Sequence, residues 1–269
     1  MLNILKGVRG ERAFKGAIIS ALALLAIFFV GILVSMLTFT NWNSFVSAIL
    51  SEEILFAIRL SITTATVSTV ISMLIAVPVA YAISQTQFPG KDIVDSLLDL
   101  PIVISPIALG AGLLVFFNTP VGAGINDNII KFVFAVPGII IAQFTVISAL
   151  AIRLLKSTFD SIDPRYEQVG RTLGCSKPEV FLRVILPLAK DGLIASSILT
   201  WARAIGEFGA TVTLAGATAM KTETLPIAIF LSLATADVGK AIAVIFILVI
   251  IAVIALFAIR KLVGKRQPI

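Results

Sequence analysis

The chain contains no histidine and a single cysteine, Cys175, and only 13% of its 269 residues are charged. The lack of histidine excludes metal sites and acid–base chemistry that depend on an imidazole. A single cysteine excludes an intramolecular disulfide. The charged share is about half of the ~25% that is usual in soluble domains. The composition therefore argues against a soluble protein with one large core.

Hydrophobic residues make up 58% of the chain, its mean hydropathy is +1.07, and its uncharged runs are long. Because a helix needs about 20 residues to cross a bilayer, these runs predict an all-α integral membrane protein with about six transmembrane helices. The first apolar run is too long for a signal peptide and is expected to be a retained span. The predicted spans lie near 16–38, 56–84, 97–117, 133–155, 190–212 and 241–261.

Two further expectations concern organisation. The segment 213–240 is predicted to be re-entrant or to lie on a surface outside the membrane, because its apolar stretch is short and contains Pro226. No linker or low-complexity segment interrupts the chain, so residues 1–269 are expected to form a single transmembrane domain.

The basic residues determine the predicted orientation. With the N-terminus inside, 16 Lys and Arg residues fall on inner segments and 3 fall on outer ones, namely Lys131, Lys221 and Lys240. The positive-inside rule therefore places both termini and the basic loop 156–189 in the cytoplasm. The net charge of +6 does not indicate nucleic-acid binding, because the basic residues are distributed between the apolar runs.

The inner loop between spans four and five predicts two short helices joined by a turn. Asp163 is a favourable N-cap followed by proline, and Gly174 suits a left-handed C-cap after a helix over 164–173. Ser176 is expected to cap a second helix, and Pro187 to mark the start of the fifth span. Considered alone, this loop is either a simple connection along the membrane surface or a docking site for a partner.

The fifth span carries two charges, Arg203 and Glu207, four residues apart and able to pair on one helical face. With Ser196, Thr200 and Thr211 they form a polar stripe. Intramembrane charges usually face a protein interior or a wet cavity, so the pair either fixes helix packing or lines a pathway. Small residues at 202, 206 and 210 predict a stripe for close helix packing. The Ser/Thr residues at 61, 64, 68 and 72 of the second span form either a packing surface or a pathway lining.

The inner loop resembles the EAA loop of permease subunits from ATP-binding-cassette importers. Aligned on Gly174, residues 168–170 match the first triplet, with Gln168 in place of the usual glutamate and Glu167 beside it, and Val184, Leu186 and Pro187 match the end. The resemblance implies that this cytoplasmic coupling helix docks into a groove of an ATPase subunit. The interface residues that it implies are Arg165, Glu167, Gln168, Val169, Gly170, Arg171, Thr172, Gly174, Leu186 and Pro187.

The segments 202–216 and 221–230 resemble permeases for molybdate, tungstate and sulfate. This resemblance implies an importer permease in the cell membrane, with molybdate or tungstate as the expected cargo and sulfate as the alternative. Its implied partners are a second copy of the chain, two ATPase subunits and an extracytoplasmic substrate-binding protein. Arg203, Glu207 and Thr200 are the candidate pathway or structural polar residues.

The chain has no phosphate-binding loop of the form GxxxxGK[ST], so ATP and magnesium are expected on the partner ATPase, with no cofactor, metal site or catalytic residue in this chain. Two other classes stay open at this point. A secondary transporter or channel would need no ATPase, and an importer for another cargo such as amino acids would keep the same architecture. An intramembrane enzyme is disfavoured, because the chain lacks histidine and a Cys–His pair and has few intramembrane carboxylates beyond Glu207.

Overall fold

The structure is a computed structural model that describes residues 2–38 and 42–263. All regular secondary structure within those ranges is helical, which confirms the predicted all-α class. A π-helical turn, Phe181–Ile185, lies between α9 and α10. The α-helices in chain order are α1 (Leu2–Leu37), α2 (Trp42–Ile49), α3 (Glu52–Gln85), α4 (Lys91–Val103), α5 (Pro106–Phe117), α6 (Pro120–Asn128), α7 (Val136–Asp160), α8 (Arg165–Thr172), α9 (Lys177–Val180), α10 (Leu186–Leu188), α11 (Lys190–Ile205), α12 (Gly209–Ala215), α13 (Leu225–Ala234) and α14 (Val238–Val263).

Four of the described helices are long and apolar enough to cross a membrane. They correspond to the first, second, fourth and sixth predicted spans, and each exceeds the ~20 residues that a bilayer requires. These helices are Phe14–Met36 within α1, Glu52–Gln85, Val136–Asp160 and Val238–Leu262. The predicted inner placement of the termini concerns residue 1 and residues 264–269, which lie outside the described residues.

The third predicted span, 97–117, is not one straight helix. It consists of the end of α4 and the whole of α5, whose axes differ by 109°. The bend falls at Ser105, because the following Pro106 restricts that residue to extended backbone. The Ser105 side chain then accepts a hydrogen bond from the backbone N–H of Ala108, at 3.3 Å, and so caps α5.

The fifth predicted span, 190–212, is interrupted between α11 and α12 at residues 206–208. The described helices therefore provide four candidate spans, or five when α4 and α5 count as one. The total of six spans stays a prediction.

The segment 213–240 contains a short apolar helix, α13, that packs inside the protein. Residues 222–228 are buried, and Leu225 and Ala228 contact a cluster that includes Ile54 and Val244. The backbone N–H of Leu225 donates to Ser61 Oγ at 2.7 Å. One side of this helix therefore packs against α3 and α14, and its placement as a re-entrant segment or outside the membrane stays a prediction.

The centre of the protein is the interface between α3 and α7. It is lined by small side chains of α3, including Ala65, Ala76 and Ala80, which allow a close approach of the two helices. The predicted Ser/Thr stripe at 61, 64, 68 and 72 is buried as well, with Ser61 against α13 and Ser68 against α7. Within the chain the stripe is thus a packing surface.

Candidate functional site

The inner loop folds as the sequence predicts, with α8 followed by a glycine turn. Asp163 Oδ1 accepts a hydrogen bond from the backbone N–H of Arg165 at 2.9 Å, so the first turn is stabilised where an N-cap was expected. Gly174 has φ +88°, and the N–H of Cys175 donates to the carbonyl of Gly170 at 3.2 Å. This 6→1 bond and the positive φ are those of a Schellman C-cap, which favours glycine at position 174.

The second loop helix, α9, begins at a capping box. The carboxylate of Glu179 accepts hydrogen bonds from the backbone N–H and the hydroxyl of Ser176, both at 2.8 Å. These two bonds favour the charged form and lower the pKa of Glu179 below its ordinary value of 4.5. The predicted N-cap at Ser176 is confirmed.

Leu186 and Pro187 lie beyond the loop helices, in the short α10 that leads into α11. Proline has no N–H, so the carbonyl four residues earlier receives no bond from position 187. The backbone widens there, and the N–H of Leu186 donates to the carbonyl of Phe181, five residues back. This π-helical turn relieves the break while the chain stays helical.

One face of α8 points towards the rest of the chain. Gly170 is buried, and a Cβ at that position would lie 2.9 Å from Val180 Cγ2. On the same side Glu167 accepts a hydrogen bond from the hydroxyl of Tyr81, in α3, at 3.1 Å. The absence of a side chain at Gly170 therefore allows α8 to approach α9 of its own chain. The family resemblance had implied that Gly170 contacts an ATPase subunit.

Next to Gly170, α8 carries exposed apolar side chains, and Tyr166, Val169, Gly170 and Leu173 line one open cavity together with Val184. Tyr166, Val169 and Leu173 expose 52%, 57% and 79% of their surface, and their spacing of three and four residues forms one apolar ridge. The neighbouring exposed polar side chains are Arg165, Gln168, Arg171 and Thr172. We call the surface formed by Tyr166, Val169 and Leu173 with these four polar residues the loop-helix ridge.

The predicted ion pair of the fifth span is formed, and it lies at the helix break. Arg203 Nη1 is 2.7 Å from Glu207 Oε2, with Glu207 1% exposed and Arg203 39% exposed. The other carboxylate oxygen of Glu207 accepts from the backbone N–H of Ala210 at 3.0 Å and so caps α12. The pair therefore joins the two halves of a broken helix.

The remaining predicted polar residues of this span lie inside the protein. Thr200 and Thr211 are fully buried, and their hydroxyls have no hydrogen-bond partner among the described residues. The small-residue stripe is divided, because Ala210 is buried against Gly110 of α5 whereas Gly206 is exposed. The stripe is thus not one packing face.

Gln143 is a residue whose role the sequence did not indicate. It is 1% exposed in the apolar helix α7, where its amide oxygen accepts from Ser68 Oγ at 3.0 Å. Its amide nitrogen donates to the carbonyl of Ala204 at 3.1 Å, close to the end of α11. Gln143 therefore joins α3 and α7 to the break in the fifth span, and an amide within an apolar run was its only signal.

Two arginines inside predicted spans were also not singled out. Arg153 of α7 pairs with Asp95 at 2.9 Å and with Asp99, and these contacts hold α4, which buries none of its own residues. Arg59 is exposed on α3 and forms no ion pair with a described residue. Charges in apolar runs were the available signal at both positions.

A match to a protein family identifies the functional class of this chain. Residues 76–267 match the family described as the inner membrane component of binding-protein-dependent transport systems. The chain belongs to this family. It is a multi-pass permease subunit and not itself an enzyme, because ATP hydrolysis in such transporters resides in a separate subunit.

Relatives of this permease are found in archaea and bacteria. A probable molybdenum ABC transporter permease of Haloferax volcanii is 36% identical over 81% of this chain and 79% of its own. The molybdenum transport permease of Mycobacterium tuberculosis is 32% identical over 85% and 86%. A sulfate transport permease of Synechococcus elongatus is 35% identical over 64% and 60%.

Solved transporters share the fold of the permease. A bacterial alginate ABC transporter in complex with its periplasmic protein matches with a TM-score of 0.75 at 17% identity, covering 98% of this chain and 99% of that one. The methionine ABC transporter MetNI matches with a TM-score of 0.59 at 17% identity, covering 81% and 100%. At these identities the likeness concerns the fold alone.

Proposed function

We propose that this permease imports a tetrahedral oxyanion, molybdate or tungstate, across the cell membrane, with energy from a partner ATPase. The observation that carries the proposal is the family match together with the relatives named for molybdenum over four fifths of the chain. A relative named for molybdate and tungstate, from Thermococcus kodakarensis, is 38% identical over 59% of the chain. Sulfate is the second candidate, since sulfate permeases are similarly related.

The loop-helix ridge supports the proposed route of energy input. Tyr166, Val169 and Leu173 present apolar surface to water if the loop lies in the cytoplasm as the basic residues predict. An amphipathic helix in a groove is a common mode of protein recognition, and the exposed apolar ridge fits such a groove on the ATPase. ATP and magnesium would bind to that partner.

The broken spans support the proposed pathway. α5 and α12 are the second halves of two interrupted helices, and they meet where Gly110 lies against Ala210. Non-helical backbone at membrane depth is tolerated where it is buried or lines a wet cavity. The half-exposed guanidinium of Arg203 adjoins this region, but its pairing with Glu207 reduces its attraction for an anion.

The complete transporter in this proposal contains two copies of the permease, two ATPase subunits and an extracytoplasmic binding protein. The binding protein selects the oxyanion, and the single membrane domain of residues 1–269 provides its passage. ATP binding and hydrolysis shift the pathway between outward-open and inward-open states. Such a shift requires only that each state of the ATPase favours one state of the permease.

Uptake by vesicles that contain the permease, its ATPase and its binding protein tests the function. We expect accumulation of radiolabelled molybdate only with ATP, and stronger inhibition by unlabelled tungstate than by sulfate. Stronger inhibition by sulfate would assign the alternative cargo. Uptake without ATP would contradict an ATP-driven importer.

The docking role is tested in the same preparation by removing one apolar side chain. Leu173→Ser should weaken retention of the ATPase about thirtyfold, since burial of a leucine contributes about 2 kcal/mol. Leu182→Ser is the matched control, because Leu182 is exposed in the same loop but lies outside the loop-helix ridge. Equal retention by both variants would contradict docking through this ridge.

A further inference from the structure

The inner face of α8 is attached to the end of a membrane-spanning helix. Tyr81 lies one turn before the end of α3, and its hydroxyl donates to Glu167 Oε2 of α8 at 3.1 Å. Glu167 is only partly exposed, whereas Gln168 beside it is exposed. Glu167 therefore belongs to the internal attachment of α8 and not to the loop-helix ridge.

The ring of Tyr81 is held in place by two other elements. It packs edge-on against Phe159 of α7, with ring centroids 5.7 Å apart, and against Phe181 of the π-helical turn at 4.6 Å. Phe159 is fully buried. Because these rings determine where the hydroxyl lies, the hydrogen bond sets the position of α8 relative to α3 and α7.

Further along α3, side-chain hydrogen bonds connect this helix to the break in the fifth span. Ser68 of the same helix donates to Gln143 of α7, and Gln143 donates to the carbonyl of Ala204 in α11. A displacement of the inner end of α3 would thus act on groups that hold this break. Contiguity alone does not demonstrate coupling, so the proposal needs a measurement of coupling itself.

We propose that Tyr81 and Glu167 are positioning residues that transmit the movement of α8 to the membrane-spanning helices. This inference rests on the proposed function, in which the ATPase moves α8. Without the bond, the ATPase would still bind the loop-helix ridge and hydrolyse ATP. Less of each closure would then reach α3, so fewer oxyanions would cross for each ATP hydrolysed.

The test compares two hydroxyl-to-carboxylate hydrogen bonds at the same end of α3. Tyr81→Phe removes the bond to α8 and keeps the ring. Ser84→Ala removes a bond of the same kind, from Ser84 Oγ to Asp160 Oδ1 at 2.6 Å, which joins α3 to α7 and does not touch α8. In reconstituted vesicles we measure ATPase retention, ATP hydrolysis and molybdate uptake for each variant.

We expect Tyr81→Phe to retain the ATPase and to lower uptake per ATP about tenfold, the scale of one hydrogen bond to a charged acceptor. Ser84→Ala should match the wild type in uptake per ATP. Glu167→Ala should behave like Tyr81→Phe, and the double variant should be no worse than either, because both remove one interaction. Glu167→Gln keeps an acceptor oxygen and should restore most of the coupling.

Three outcomes would overturn the inference. They are unchanged uptake per ATP in Tyr81→Phe, an equal loss of coupling in Ser84→Ala, and loss of ATPase retention in parallel with uptake, which would indicate a merely structural role. Failure of the proposed function is seen separately, as wild-type vesicles without ATP-dependent uptake or as full ATPase retention by Leu173→Ser. Neither of those results depends on Tyr81.

Discussion

Gly110 determines how closely two interrupted helices approach each other. A Cβ at this position would lie 2.7 Å from the Cα and from the carbonyl oxygen of Ala210, so backbone would have to move. We expect Gly110→Ala to cost about 1–3 kcal/mol in the free energy of unfolding, the usual cost of overpacking. A lower midpoint of thermal unfolding of the purified permease in detergent, by about 2–4 °C for each kcal/mol, would show it.

Gly112 provides the control on the same helix. A Cβ there meets nothing within 4 Å, and alanine is favoured over glycine inside a helix by up to about 1 kcal/mol. Gly112→Ala should therefore leave the midpoint unchanged or raise it. A similar decrease in both variants would mean that helix propensity or lipid contact, and not the approach to Ala210, explains the effect.

Individual residues were predictable where their partners are close in sequence. Asp163, Gly174 and Ser176 act within a few residues of themselves, so capping rules placed them correctly. Gln143 and Glu167 bind residues that are 61 and 86 positions away in the chain, and one sequence contains no sign of those contacts. The alignment to the EAA pattern placed Glu167 in the right helix but could not tell its inner face from its outer one.

At the scale of the element, the stability of the first turn of α9 should depend on pH. The pKa of Glu179 is lower in the folded loop than in an unfolded chain, because the Ser176 N–H and hydroxyl bind its carboxylate. A lowered folded pKa means that its stabilisation is complete above the unfolded value of about 4.5 and is lost as the pH falls through the folded value. Hydrogen exchange of residues 176–180 should accelerate, relative to the intrinsic rate, in that acidic range.

Glu179→Gln isolates the carboxylate in that experiment. The amide can still accept a hydrogen bond from Ser176, but it does not titrate, so the acid-dependent part of the exchange should disappear. An identical pH dependence in Glu179→Gln would assign the effect to another carboxyl group of the loop.

The continuous spans could be predicted from hydropathy, but the breaks in the interrupted spans could not. A run of about 20 apolar residues predicts a span, but the average over a window does not reveal a 109° bend at Ser105 or a break after Ile205. Proline follows the bend at Ser105 and glycine follows Ile205, yet neighbouring helices often satisfy the freed backbone groups and keep such spans continuous. Here the side chains of Ser105 and Glu207 cap new helices instead, and that choice depends on tertiary contacts.

At the scale of the whole molecule, the orientation is the prediction on which the others depend. Docking of α8 requires the loop 156–189 to lie in the cytoplasm, and that placement derives from the 16 to 3 distribution of basic residues. The single cysteine lies in this loop, next to the Gly174 turn, and is partly exposed. Cys175 is therefore a natural reporter of the side on which the loop lies.

We expect a membrane-impermeant maleimide to label Cys175 in inside-out vesicles and not in intact cells, in membranes that contain the permease without its ATPase. Cys175→Ser should abolish labelling on both sides. In that background Asp127→Cys, exposed near the end of α6, should be labelled in intact cells, because the loop that contains it is predicted to face outward. Labelling of Cys175 from outside would invert the orientation and place the loop-helix ridge on the side of the membrane that has no ATPase.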